Sequence, residues 1–366
     1  MTKKIAFYGS SLLSSYWNGA ATYYRGILRA LAPHGYEITF YEPDAFDRQS
    51  HRDIEPPPWC NVVVYPATPE GLRSVIPKAA LADVVVKASG VGFADDELLA
   101  GTMAAARGDA VRIWWDVDAP ATLAEIDGDA GHVLRRILPD LDLVLTYGGG
   151  PPVVAAYRSL GAPDCIPVYN ALDPSTHHPV QQDGRFEAEL GFLGNRLPDR
   201  ERRVEEFFIR PAALMPDHRF ILGGSGWADK DCPRNVAKIG HVPTSAHNAF
   251  NCSPRAVLNI NRDSMASTGF SPPTRVFEAA GAGACLMTDA WTGIEMFLTP
   301  GEEVLVVRDG TDVAEALRML DPVRAHAIGQ AALRRVLKEH TYDQRAIEVD
   351  QILGRALATK SEELAA

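Results

Sequence analysis

The sequence predicts two doubly wound α/β domains in series. Three observations carry this: strand and helix patterns alternate along nearly the whole chain, the strands are continuously apolar, and one polar, proline-bearing segment at 170–184 interrupts the series. Strands apolar at every position are buried on both faces, as in a parallel sheet covered by helices on each side. A chain of 366 residues also exceeds one compact core.

In the first series the Val- and Ile-rich runs at 4–8, 37–41, 61–65, 83–87, 111–115, 143–146 and 165–169 read as strands. Helical patterns at 23–31, 70–80, 95–107, 132–138 and 153–160 fill the intervals. The segment NALDPSTHHPVQQDG, 170–184, reads as an interdomain linker. Its adjacent His177 and His178 face different ways, so they are expected as solvated hinge residues and not as a metal pair.

The second series reads as strands at 190–193, 219–223, 236–241, 256–260, 284–288 and 303–307. Helices are expected at 200–214, 244–251, 274–282 and 313–320. A helical stretch from 322 to 357 is broken near 340–342 and ends in a Lys/Glu/Ala tail. The expected domains are therefore 1–180 and 181–340. A C-terminal helix and tail, 341–366, can cross back to the first domain. Two such domains enclose a cleft at the carboxyl ends of their strands, where open α/β sheets bind ligands.

Composition narrows the function. A formal net charge of −11 disfavours nucleic acid and anionic membranes as partners. Cys60, Cys165, Cys232, Cys252 and Cys285 form no CxxC pair and read as reduced thiols, Cys165 and Cys285 as buried small residues. No apolar run is long enough to span a bilayer and no signal peptide is apparent, so a cytoplasmic location is expected.

The most informative stretch is NRDSMASTGFSPPTRVFEAAGAGACLMTD, 261–289. A strand ends at Asn261, a polar loop follows, and Pro272-Pro273-Thr274 opens a short helix. Thr274 and free backbone N–H groups at a helix start make an anion site. Arg262 and Arg275 add fork-like donors suited to phosphate. Glu278, one turn in, can accept two hydrogen bonds from a ribose diol. The plainer alternative is that Glu278 complements the helix dipole and Arg275 pairs with a surface acid.

A second cluster starts at Gly191-Phe192-Leu193-Gly194-Asn195-Arg196. Gly194 lets backbone approach a diphosphate and Arg196 can meet it, with Arg200 or Arg202 as a further cation; a tight turn with exposed arginines is the alternative. Gly224, in Leu222-Gly223-Gly224-Ser225-Gly226-Trp227, permits close approach of a base or phosphate, while Trp227 reads as a packing residue. His241 flanks the expected base site.

In the first domain, Asn18 and Gly19 fit a helix start after the Gly9-Ser10-Ser11 loop. No GxGxxG follows the first strand, which argues against a dinucleotide oxidoreductase. Asp116 and Asp118 end the strand at 111–115 and could receive an acceptor's proton, or Asp118 could be an ordinary helix cap, in a turn before Thr122. Gly148-Gly149-Gly150 offers either an anion-binding loop or a tight turn, and Gly149 is its central candidate.

RVFEAAGAGACLMTD with Phe297-Leu298-Thr299-Pro300-Gly301-Glu302 resembles the donor-site helix of family-4-like GT-B glycosyltransferases, and most resembles the spore-maturation CgeB-type subgroup. The likeness is strongest over 185–320. It implies that Glu278 holds the nucleotide ribose and that basic residues hold the diphosphate. The family's further Glu, eight positions earlier, is replaced by Phe270. The resemblance implies a hexosyltransferase-type enzyme that uses a nucleoside-diphosphate sugar as co-substrate, with no metal or other cofactor. The donor would lie against Glu278, Arg275, Thr274, Arg262, Arg196, Gly194, Gly224 and His241. The acceptor would lie near Asn18, Gly19 and Gly149, with Asp116 and Asp118 as catalytic candidates and retention at the anomeric carbon. A nucleotide-sugar epimerase or hydrolase of the same fold, and an inactive sugar-nucleotide-binding protein, are the alternatives. The sequence names neither sugar, base nor acceptor.

Overall fold

The computed structural model describes residues 2–365, which divide into two compact units. One comprises residues up to Asn170 together with the chain from Tyr342; the other is Ala171–Thr341.

The first unit is a seven-stranded parallel sheet built from β1 (Lys3–Tyr8), β2 (Tyr36–Asp44), β3 (Asn61–Pro66), β4 (Val84–Ala88), β5 (Val111–Asp116), β6 (Leu143–Thr146) and β7 (Cys165–Pro167). Its strand order is β3-β2-β1-β4-β5-β6-β7. Between strands run α1 (Ala20–Leu31), α2 (Pro69–Val75), α3 (Asp95–Ala105), α4 (Ala119–Gly128), α5 (Val133–Ile137) and α6 (Gly150–Ser159). Central strands such as β4 are buried at every position, which explains their largely apolar sequence; the exception in β4, buried Lys87, is paired with Asp95 at 2.8 Å.

The second unit is a six-stranded parallel sheet of β8 (Leu190–Leu193), β9 (Phe220–Gly223), β10 (Val236–Gly240), β11 (Ala256–Asn259), β12 (Leu286–Asp289) and β13 (Leu305–Val307), in the order β10-β9-β8-β11-β12-β13. Its helices are α7 (Pro198–Val204), α8 (Arg210–Leu214), α9 (His247–Cys252), α10 (Asp263–Thr268), α11 (Thr274–Gly281), α12 (Gly310–Met319) and α13 (Pro322–Glu339). A π-helical turn, Glu205–Ile209, joins α7 to α8 just before Pro211, which has no N–H to continue a regular ladder. The final helix, α14 (Tyr342–Ala365), belongs to the first unit. Tyr342 donates to Asn170 Oδ1 at 2.5 Å, Tyr36 donates to Asp350 at 2.8 Å, and the Tyr342 ring occupies the space a side chain on Gly26 would need.

Two expectations are corrected. The boundary lies at 170/171, not 180/181, because the supposed linker is bonded to the second unit. Leu172 N–H donates to His340 O, Val180 N–H to Cys252 Sγ and Asp183 N–H to Ser253 Oγ. The polar loop after β11 contains a helix, α10; Asp118, by contrast, stands at the start of a helix, α4, as its alternative reading had it, although its side chain makes no cap bond. Both are short and start without a side-chain cap, so the usual start signal is missing. Among the described residues no helix is long and apolar enough to cross a membrane.

Candidate functional site

The strand order of the second sheet reverses between β8 and β11. Loops leaving the carboxyl ends of such neighbouring strands diverge and open a crevice. The loop after β8 leads through Gly194 into α7, which carries Arg200; the loop after β11 carries Arg262; α11, following α10, carries Arg275.

These three guanidinium groups are close enough to repel. Burial lowers the pKa of Arg200, Asp199 opposes that, and the charges of Arg275 and Arg262 push it further down. Arg200 donates to Asn195 O at 2.5 Å, but its buried Nε has no hydrogen-bond partner. Arg262 is held by Asp199 at 2.5 Å. Arg275 reaches Asn251 Oδ1 and Leu193 O at 3.4 Å each, long for N–H···O bonds, and so keeps donor capacity in reserve. Neighbouring like charges, two of which, Arg200 and Arg275, have unfilled or loosely filled donors, form a site that an anion would complete.

α11 adds to this field. Its N-cap position is Pro273, no side chain caps it, and no carboxylate lies in its first turn. The positive end of the helix dipole is therefore uncompensated by its own residues. Half-buried Thr274 is its first residue.

Glu278 is 15% exposed. Its nearest cationic partners are Arg275 at 3.5 Å and His177 at 3.9 Å, neither a close hydrogen bond. Burial pushes its carboxyl up, but Arg275, then His177 and His247, outweigh burial, and the net direction is down. His247 is itself held down to about 4 by burial and by Arg275, so it is neutral at pH 7 and Arg275 is the charge that keeps Glu278 ionised there. An ionised, half-free carboxylate beside an arginine can accept a vicinal diol.

Gly194 lies against Arg200: a Cβ there would meet Nη2 at 3.0 Å. Gly224, at φ +114°, faces Gly194 O so closely that a Cβ would lie 2.2 Å from it. Trp227 is a buried packing residue whose indole N–H donates to Gly194 O at 2.7 Å. Phe270 holds a left-handed φ of +48°, with its N–H on Thr292 O at 2.7 Å and its ring over Gly293.

Other candidates fall elsewhere. Arg196 is paired with Glu201 at 2.7 Å and Asp229 at 3.0 Å, turned towards the β9 loop, while Arg200 takes the place beside the other arginines. His241 is solvent-exposed; His247, on α9, is the histidine near Glu278. His177 is buried rather than solvated, whereas His178 is exposed as expected. The sequence reading missed His247 and Asn251, although their i, i+4 spacing on one short helix was visible.

In the first unit Asp116 cannot meet an acceptor. It is fully buried, and its carboxylate accepts from Ser89 Oγ, Asp118 N–H, Thr122 Oγ1 and the Tyr157 hydroxyl. Burial raises its pKa against those four donors. Asn18 is likewise a buried staple, accepting from Ser10 Oγ and donating to Ser11 O and Ser14 O. Asp118 sits half-buried at the start of α4 without capping it. Gly19 is exposed with open space at its Cβ position, while Gly149, at φ +88°, has Val153 where a side chain would be.

Residues 200–352 match the family model for glycosyl transferase-like proteins. The match covers less than half of the chain and lies mostly in the second unit. The fold is that of GT-B glycosyltransferases. Sucrose-phosphate synthase from Thermosynechococcus elongatus superposes with a TM-score of 0.69 at 16% identity, covering 98% of this chain and 100% of that one. The HepE protein of Anabaena, solved with UDP and glucose, superposes with a TM-score of 0.66 at 12% identity over 96% and 100%. AviGT4, a glycosyltransferase of avilamycin A biosynthesis, gives 0.59 at 16% identity over 98% of each chain. No curated protein shows significant sequence similarity to the chain.

Proposed function

We propose that the chain transfers a glycosyl group from a nucleoside-diphosphate sugar, UDP-linked, to a hydroxyl acceptor. One observation carries this: Arg200, whose guanidinium feels the charges of both Arg262 and Arg275, lies with them on the loops and helices that leave a strand-order reversal, where Arg275 stands beside an ionised, loosely held Glu278. That set suits a ligand with a diphosphate and a diol joined in one molecule. The similarity to a protein solved with UDP and glucose supports uridine as the base and glucose as the first sugar to try.

In this reading Glu278 accepts the ribose hydroxyls and the arginines hold the diphosphate, with the α11 N-terminus behind it. Charge grows on the departing diphosphate as the bond from the anomeric carbon to its oxygen breaks. Fixed guanidinium donors stabilise that charge without reorganising. The acceptor oxygen forms the new bond to the anomeric carbon, the electron pair of the broken bond leaves on the diphosphate, and the hydroxyl proton passes to the departing phosphate oxygen. We extend this to retention of configuration, on the resemblance around Arg275 and Glu278. The diphosphate charge is balanced by arginine in this scheme and no metal is invoked.

A thermal-shift series with UDP, GDP, ADP and inorganic pyrophosphate tests binding. UDP is expected to raise the melting temperature in proportion to the logarithm of its concentration. No shift with any nucleotide contradicts the proposal. With UDP-glucose, a new sugar isomer, or free glucose released as fast as any transfer, points instead to an epimerase or a hydrolase.

A further inference from the structure

Glu278 has a neighbour on each carboxylate oxygen. Arg275 Nη1 stands 3.5 Å from Oε2, and His177 Nε2 stands 3.9 Å from Oε1. Both gaps exceed a hydrogen bond, so each oxygen keeps its lone pairs for a ligand while the two neighbours orient it.

His177 is fixed by its own segment and by two helices of the second unit. Its side chain is 8% exposed. Its N–H and that of Thr176 both donate to Asp173 O, at 3.0 and 3.1 Å. Asp173 Oδ1 accepts from Ser175 N–H and Oγ, and Asn248, on α9, donates to Thr176 O at 2.9 Å. On α11, Gly281 faces the same segment: a Cβ there would lie 2.3 Å from the Leu172 side chain and 3.2 Å from His177 O. A bonded turn thus holds the imidazole against α11, and a glycine lets that turn come close.

The protons around the ring decide what it offers Glu278. Thr176 Oγ1 lies 2.9 Å from His177 Nδ1 and 3.1 Å from Asp173 O. A hydroxyl has a single proton to donate. Given to Asp173 O, it leaves Thr176 Oγ1 accepting from Nδ1–H, and a neutral ring then turns the Nε2 lone pair on the Glu278 carboxylate. Given to Nδ1, it leaves Nε2–H facing Glu278 but takes the hydroxyl from Asp173 O. The imidazolium alone makes every contact at once: the hydroxyl donates to Asp173 O, Nδ1–H donates to Thr176 Oγ1, and Nε2–H faces Glu278 Oε1.

We propose that His177 is a positioning residue for Glu278: in its protonated form it steers Oε1 as Arg275 steers Oε2, and so fixes the plane in which the carboxylate accepts the ribose diol. The proposal rests on Glu278 being the ribose acceptor, as inferred above. Protonation of His177 then strengthens nucleotide-sugar binding, and the gain is lost as the pH rises and the ring gives up its proton. Facing the ring and its segment are Arg275 and Glu278 on α11, His247 and Cys252 on α9, and Asp173 on its own turn. Arg275 is a permanent cation. Glu278, its carboxyl held down, stays ionised between about pH 5.5 and pH 8, and His247, held down to about 4, stays neutral there. Burial raises the Cys252 thiol away from that window.

The test is isothermal titration calorimetry with UDP-glucose at about pH 5.5 and pH 8, on the full chain. Its diphosphate is esterified at both ends, so it lacks the terminal phosphate that titrates in this window. Wild-type affinity should be about fivefold or more higher at the lower pH. His177→Gln supplies an amide N–H that does not titrate in place of Nε2–H. It should bind within about threefold of the wild type at the lower pH, and equally at both. His177→Ala should bind about tenfold more weakly at the lower pH, again without pH dependence, and Glu278→Gln should lose the pH dependence too. Pyrophosphate should bind the wild type and His177→Ala alike, which also shows that the variant folds. A pH dependence that survives in His177→Ala, or a wild type with the same affinity at both pH values, overturns the proposal. So does a His177→Ala protein that loses pyrophosphate and UDP-glucose in step, since the residue then merely supports the fold. Each of these leaves UDP-glucose binding weakened by Glu278→Gln and the nucleotide site standing. UDP-glucose binding that is absent from the wild type, or undiminished by Glu278→Gln at both pH values, removes Glu278 as the ribose acceptor, and the task of His177 with it.

Discussion

Arg275 Nη1 lies 3.5 Å from Glu278 Oε2, one helical turn apart, with both side chains 15% exposed. The pair is close enough to hold Glu278 ionised and too long to saturate either partner. Glu278→Gln keeps the shape and removes the charge. UDP affinity should fall about tenfold or more, as charged hydrogen bonds to a diol are lost. Pyrophosphate affinity should be nearly unchanged. Calorimetry with both ligands separates the outcomes; an equal loss for both places Glu278 against the diphosphate instead.

Arg200 sits in a conflict that Asp199 offsets only in part and that an anion would relieve. Its buried Nε has no partner, and two arginines depress its pKa. Arg200→Met should therefore stabilise the ligand-free protein by roughly 1 kcal/mol in urea unfolding while weakening pyrophosphate binding about tenfold. Loss of stability without loss of pyrophosphate binding makes Arg200 a structural residue.

Arg196 gives the contrasting expectation. It is engaged with Glu201 and Asp229, and, with Lys230 second, it holds the Glu201 carboxyl down to about 2. Arg196→Gln should change UDP affinity less than threefold, because the guanidinium spends its bonds on its own unit. A loss matching that of Arg200→Met shows that it swings onto the ligand.

The acid limb of stability should report His247. Its folded pKa, about 4, lies below the ordinary histidine value, so the unfolded chain binds the proton more readily. Stability is full above about pH 6.5 and falls as the pH drops towards 4, by up to about 3 kcal/mol. Glu278, with its pKa also lowered, adds to the same loss at the acid end of that window. His247→Gln should flatten the difference in unfolding free energy between pH 7 and pH 5. An unchanged slope assigns the acid limb to other groups.

Asp116 and Asp118, two residues apart, should behave differently. Asp116→Ala strands four donors in a buried network and should cost about 3 kcal/mol while leaving UDP stabilisation intact. Asp118→Asn should alter stability by less than about 0.5 kcal/mol. Equal stability losses would make Asp118 part of the same buried network.

The sheets were legible because buried parallel strands carry a signal in nearly every residue; β4 and β11 are buried throughout and apolar except at Lys87 and Asn259. The donor-side helix was legible because Pro273 and the glycines around 281–283 mark both its ends. The choice among arginines was not, since Arg196 and Arg200 differ only in which neighbours pair with them. Glu201 and Asp229 capture the first, and that is a tertiary fact. The burial of His177 was equally hidden: its Pro-flanked, polar surroundings read as linker, yet they pack against α9 and α11. Asp116 misled for a related reason, since a strand-end carboxylate points into a crevice or into a hydrogen-bonded network according to its neighbours.

The most direct measurement is UDP titration of the wild type and of Arg275→Met, followed by thermal unfolding. Clear stabilisation of the wild type, rising with UDP concentration and almost abolished in the variant, is the predicted result. Equal stabilisation of both proteins, or none in the wild type, contradicts a nucleoside-diphosphate site at the start of α11.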